Sequence, residues 1–228
     1  VIATSTTRGA VLKSWRLKNY RDARGAPLEL IPSNVPNSPR PFTLDVDDGP
    51  TSATLKDALY KPSAEALTIG SAPSTLAFEY RDAAGLVARK EFGFTPAHPY
   101  IFRFVADVSR NGAALVPTVN WGPALGSGIV AGGMNYAPAP QPVFYRDRKV
   151  TRVAIGDIES YRQMQGAFGF VGVDDHYFLS AVVTPGEQLQ VVFSPTLVTV
   201  AGESSSRQFI SWTVRPPSAS WNADFFFG

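Results

Sequence analysis

Tyr100-Ile101-Phe102-Arg103-Phe104-Val105-Ala106-Asp107-Val108 is the stretch that decides the fold. Tyr100, Phe102, Phe104, Ala106 and Val108 share one parity and Arg103 and Asp107 the other. A period of two belongs to a strand with one covered face, whereas a helix gathers its apolar residues three and four apart. The segment just before it repeats the pattern, with Phe92 and Phe94 against Arg89, Glu91 and Thr95. So do Val11, Trp15 and Leu17 against Arg16 and Lys18 early in the chain, and Leu189, Val191 and Phe193 late in it. Tyr177 to Val183 is apolar apart from Ser180 and reads as a strand covered on both faces. Prolines and glycines punctuate these runs at short intervals, as in a sandwich or barrel rather than in βαβ units. The expected fold is all-β and antiparallel with little helix, Thr51 to Leu59 being the one weak helix candidate.

Composition narrows the class further. A chain of 228 residues fits one large β domain, residues 1–228. A core of that size hides roughly 70–75% of the unfolded surface, so it needs neither metal nor disulfide. With no cysteine, thiol nucleophiles and cysteine zinc sites are ruled out. Lys and Arg number 21 against 19 Asp and Glu, with no basic block, so no nucleic-acid partner is expected. No run approaches the roughly 20 apolar residues that cross a bilayer. The start at Val1 and the end at Phe225-Phe226-Phe227-Gly228 lead us to expect a piece of a longer protein.

Two hexads nearly repeat, Tyr20-Arg21-Asp22-Ala23-Arg24-Gly25 and Tyr80-Arg81-Asp82-Ala83-Ala84-Gly85. In each, Asp can close a local turn and Gly can take positive φ, so both are expected to be hairpin turns. Asn111 to Tyr145 carries no formal charge and is rich in glycine and proline. It is read as the longest loop, either merely covering one end of the sandwich or bordering a groove or edge open to an extended polypeptide or a sugar-like ligand, with Tyr136 and Tyr145 beside it. Trp15, Trp121 and Trp212 are assigned to the core.

The chemistry of the side chains is sparse. His98 and His176 are the two histidines; His98 falls in a Pro-Ala-His-Pro turn and reads as solvated. Asp174-Asp175-His176 has metal-ligand types, but neighbouring residues rarely converge on one ion, and no metal is expected. Asp45, Asp47, Asp48 and Gly49 are mis-spaced for a calcium loop, with Lys56 where its last carboxylate belongs, and read as a solvated acidic turn. Gly126, Gly128 and Gly132 are one residue too widely spaced for a dinucleotide fingerprint. No Gly-Lys-Ser/Thr or Gly-x-Ser-x-Gly string occurs, and Ser204-Ser205-Ser206 reads as a turn. No cofactor is called for. A carboxylate pair of the glycosidase kind, drawn from the 19 acids, stays open.

Four strings in order resemble a known family, the large periplasmic domain of the YidC membrane protein insertases. Thr7-Arg8-Gly9-Ala10-Val11 through Tyr20 to Gly25-Ala26-Pro27-Leu28-Glu29-Leu30-Ile31 is similar to its opening strands. Phe78 to Gly112 resembles its Y-x-D-x-x-G turn, K-x-F strand and closing N-x-G. Trp121-Gly122-Pro123-Ala124-Leu125-Gly126 resembles its W-G-P-G-L-G, with Ala124 for a glycine, and Gly169 to Pro185 its D-x-Y-F string, with Phe170 for a tryptophan.

The resemblance implies a twisted β-supersandwich similar to galactose mutarotase, on the periplasmic side of the bacterial inner membrane, between the first two membrane helices of a multi-pass parent. It implies a non-enzymatic role in inserting and folding inner membrane proteins, with nascent membrane proteins and the Sec translocon as partners. The other reading is a secreted carbohydrate-binding or mutarotase-like protein. In the family, a string like Phe225-Phe226-Phe227-Gly228 precedes a helix leading to the second membrane span. A strand sends Phe225 and Phe227 to one face and Phe226 to the other, so the outward phenylalanine is expected to contact that junction or a partner.

Overall fold

The structure, a computed structural model, describes residues 1–22, 24–32, 35, 38–123, 125, 129–130, 140–175, 177–183, 186–199 and 206–228. It begins with strands β1 (Ile2–Thr6), β2 (Val11–Arg21), β3 (Pro27–Glu29) and β4 (Thr43–Asp45), followed by helix α1 (Gly49–Asp57). Strands β5 (Lys61–Pro62), β6 (Ser74–Arg81), β7 (Leu86–Phe94), β8 (Ile101–Arg110), β9 (Ala113–Leu115), β10 (Thr118–Trp121) and β11 (Ile129–Val130) come next. Then follow β12 (Gln141–Arg146), β13 (Lys149–Arg152), a 3-10 turn (Ile155–Tyr161), β14 (Gln163–Phe168), β15 (Phe170–Asp174) and β16 (Leu179–Val183). The chain closes with β17 (Glu187–Thr199), β18 (Ser206–Arg215) and β19 (Trp221–Phe227).

Mostly antiparallel sheet with little helix, the described chain forms three sheets. The largest runs β13-β12-β15-β16-β19-β8-β7-β6-β5, with β9 paired to β8. A second runs β14-β17-β18-β10-β4, with β11 paired to β18, and a third is β1-β2-β3. The parities read from the sequence hold: Phe102, Phe104, Ala106 and Val108 are buried, as are Val11, Trp15 and Leu17, and Leu189, Val191 and Phe193.

The core lies where the three sheets meet. Trp121 of the second sheet stacks on Phe225 of the first at 5.7 Å and 11°, and Trp15 of the third lies 5.2 Å from Phe227. Phe42, just before β4, touches Phe92, Phe102, Phe104, Trp121 and Phe225 with ring centroids 4.6–5.7 Å apart. Hiding one such ring is worth about 2–3 kcal/mol, and each well-placed ring pair adds about 0.5–1.5 kcal/mol.

Both hexads are hairpin turns of one design. Asp22 Oδ1 accepts from the amides of Arg24 and Ala26, Asp82 Oδ1 accepts from Leu86, and Gly25 and Gly85 sit at φ +80° and +79°. Two readings need correction. The uncharged stretch Asn111 to Tyr145 is not one loop, because β9, β10, β11 and most of β12 fall within it, each short and paired with a strand remote in sequence or at a hairpin. Tyr177 is 80% exposed, and the strand expected from it begins at Leu179. Asp175 instead closes a turn, its Oδ1 accepting from the Phe178 amide at 3.0 Å. The acidic run Asp45-Asp47-Asp48 proves structural: Asp48 caps α1 through the Thr51 amide, Asp45 pairs with Lys56 at 2.7 Å and Asp47 with Arg215 at 2.8 Å.

Candidate functional site

The outward face of the largest sheet follows from its register. Partners across a ladder share a face, and residues two apart along a strand return to it. Ile101, Phe226, Ala181, Gly172 and Val143 therefore form one row on the side away from the aromatic core, through the pairings Ile101–Phe226, Phe226–Ala181, Ala181–Gly172 and Gly172–Val143. Within it Ala181, Gly172 and Val143 are buried, while Ile101 is exposed and Phe226 half-buried. The next row on that face carries Val150, Tyr145 and Phe170. Tyr145 stacks on Phe170 at 6.0 Å and 10°, and a side chain at Gly169 would stand 2.5 Å from the Tyr145 ring, so glycine permits the approach.

Tyr145 and Phe226 thus share one surface, three strand spacings or about 15 Å apart. Phe225 and Phe227 point the other way and are fully buried, so Phe226 is the outward member of the triplet. Tyr136 lies outside the described residues, as does His176. Ion pairs border the face, Arg103 with Asp224 at 3.7 Å and Arg152 with the nearly buried Asp174 at 2.5 Å. Rings, aliphatic groups and paired charges can grip a chain or a ring.

Sequence reasoning passed over Lys90, the most unusual ionisable group. Its residue is 0% exposed, and Nζ donates to the carbonyl oxygens of Gly9 at 2.5 Å, Ala10 at 3.2 Å and Phe42 at 2.6 Å. The same nitrogen lies 5.4 Å from the centre of the Tyr60 ring. All three acceptor residues have left-handed backbone, at φ +67°, +46° and +70°. That conformation turns carbonyls inward that a regular strand would direct to a neighbour. Burial pushes the Lys90 ammonium down to about 7 from 10.5. Three acceptors oppose that shift, since only the protonated amine has three N–H groups to give. Burial likewise raises the Tyr60 phenol, with the Tyr80 ring beside it adding to the shift. The signal for Lys90 was present, because it has the parity of Ala88 and Phe92, on the buried face of β7.

An amine sealed from solvent cannot meet a substrate, so Lys90 binds structure together rather than reacting. His98 is exposed in its turn, its amide bonded to the Thr95 carbonyl. Gly126, Gly128, Gly132, Ser204 and Ser205 lie outside the described residues. Among the described residues, no group of three or more His, Asp or Glu is placed to hold a metal ion. Nor is any helix there long and apolar enough to cross a membrane.

Comparison with known proteins completes the description. The family described as YidC periplasmic domain matches residues 1–228. A protein of Geobacter sulfurreducens named membrane protein insertase YidC is 27% identical over 185 residues, covering 79% of this chain and 34% of that protein. Another of that name, from Geobacter metallireducens, is 27% identical over 235 residues, covering 96% of this chain and 40% of its own length. The chain therefore spans well under half the length of these curated relatives.

Proposed function

The chain belongs to the YidC periplasmic domain family, and from that premise we propose that it is the non-enzymatic extramembrane domain of a membrane protein insertase. It stands on the periplasmic side of the inner membrane and assists insertion and folding of inner membrane proteins, alone or beside the Sec translocon. The observation that carries this reading is the family match over the whole of residues 1–228. We read the chain as one domain, supported by a continuous buried cluster running from Ala10 to Phe227. A twisted supersandwich of the galactose-mutarotase kind suits sheets joined through one aromatic core.

The chemistry agrees with a binding role. Two of the 19 acids are engaged in the fold: Glu29 accepts from the amides of Trp15 and Ile31 and from Ser14, and Asp174 holds Arg152. The outward rows around Tyr145 and Phe226, with Tyr136 nearby in sequence, form the contact surface for partner or nascent chain. Photo-crosslinking from Tyr136 and Tyr145 in the intact parent tests this. Adducts with nascent membrane proteins or Sec components are expected; their absence sinks the contact surface. A parent gene with fewer than about five hydrophobic spans downstream, each roughly 20 residues, would sink the insertase reading itself.

A further inference from the structure

Residues far apart in sequence meet at one pole of the molecule. Tyr20, at the end of β2, packs edge-on against Phe178 at 5.6 Å, and Phe178 touches Tyr177 at 6.5 Å. Tyr20 is 51% exposed and Tyr177 80%, so two exposed rings each lie against the half-buried Phe178. Residues 16–24 add Arg16, Lys18, Arg21 and Arg24 against one carboxylate, Asp22. That carboxylate is turned back into its own loop, accepting from the Arg24 and Ala26 amides, and Asp175 likewise accepts from Phe178. Lys18, Arg21 and Arg24 are exposed.

Both ends of the described chain are at this pole. Gly228 exchanges main-chain hydrogen bonds with Leu179, the residue after Phe178, at 2.8 and 3.1 Å. Ile2 pairs with Arg16, two residues before Lys18.

We infer that this pole rests on the membrane surface, Tyr20 and Tyr177 lying at headgroup level and Lys18, Arg21 and Arg24 meeting the phosphates of anionic phospholipids. Aromatic rings with one polar end settle at the interface between water and hydrocarbon, and cations within a Debye length of an anionic leaflet are drawn to it. The inference rests on the membrane-anchored reading above, and adds the surface and the ligand class, an anionic lipid headgroup.

The test is co-sedimentation of the 228-residue chain with vesicles of phosphatidylcholine, with and without phosphatidylglycerol, at low and high salt. Binding that needs phosphatidylglycerol and fades with salt is expected. Lys18→Ala, Arg21→Ala and Arg24→Ala together should weaken it about a hundredfold, about fivefold for each cation. Lys61→Ala, Arg148→Ala and Lys149→Ala remove the same charge from the two outer strands or their turn, and should leave binding within about twofold of that of the unaltered chain. Tyr20→Ser with Tyr177→Ser should weaken binding at high salt, where the cations are screened. Unchanged near-ultraviolet circular dichroism checks folding, and Lys18→Gln with Arg21→Gln must reproduce part of the loss. Equal loss in both triple variants, indifference to phosphatidylglycerol, no binding at millimolar lipid, or binding only to vesicles carrying membrane protein would each overturn the inference. Vesicle binding needs neither Sec nor a nascent chain, so it can fail while the crosslinks above succeed, and the reverse.

Discussion

Replacing Lys90 by methionine separates two forces that the fold sets against each other. The side chain stays unbranched, ends one atom shorter, and loses its charge and three donors. The gain is relief from desolvation: burial takes the ammonium from 10.5 to about 7, a cost of about 5 kcal/mol if nothing offset it. The loss is three hydrogen bonds from a charged donor, to Gly9, Ala10 and Phe42, each worth about 1.5–3 kcal/mol, and three carbonyls left facing an apolar tip. Taking one partner from a buried polar cluster costs about 3–5 kcal/mol in measured cases, so Lys90→Met should destabilise by about 3 kcal/mol in urea unfolding at neutral pH. The pH dependence has a definite sign. A lysine lowered to about 7 in the folded chain binds fewer protons than the unfolded chain up to 10.5, so stability would rise with pH across that window, by about 5 kcal/mol if burial acted alone. The carbonyl cage holds the proton and should cut that rise below about 2 kcal/mol relative to Lys90→Met. A variant at least as stable as the unaltered chain at neutral pH would refute the cage as a stabilising element, and the full rise would show that the proton leaves.

The phenylalanine triplet should divide by face: Phe225→Ala, at a fully buried ring, is expected to cost about 3–5 kcal/mol and Phe226→Ser about 1 kcal/mol, with equal losses in urea arguing against the assigned parity. Gly25 and Gly85 have nearly equal φ, but a Cβ at Gly85 would stand 2.0 Å from Asn111 Oδ1 while one at Gly25 meets nothing within 4 Å. Gly25→Ala should therefore cost about 1 kcal/mol for backbone strain alone and Gly85→Ala about 2 kcal/mol or more, compared by melting temperature. Glu29→Ala removes the acceptor for the Trp15 and Ile31 amides, at 2.7 and 3.0 Å, and for Ser14. A loss of about 2–4 kcal/mol is expected, with amide exchange at Trp15 and Ile31 speeding up before the rest of the chain.

What could be read from the sequence was local. Parity along a strand needs only neighbours, so β2, β7, β8 and β17 were legible, and so were the two Asp-Gly turns, whose hydrogen bonds close within four residues. Segment 111–145 misled because charge and glycine content report solvent and turn chemistry, while its short strands exist by partners elsewhere: Val119 pairs with Val214 on one side and Leu44 on the other. The triplet Phe225-Phe226-Phe227 announced two faces, but which of them was core depended on Trp121 and Trp15 arriving from other sheets. Lys90 shows the same limit. Its parity placed it inward, yet a buried lysine is intelligible only once three left-handed residues have turned their carbonyls toward it. Two of those residues, Gly9 and Ala10, belong to the opening string that resembles the family, and Lys90 belongs to the K-x-F string. Strings that looked independent in the sequence are thus halves of one contact, and their joint presence in the correct order is what a single three-dimensional constraint would leave behind.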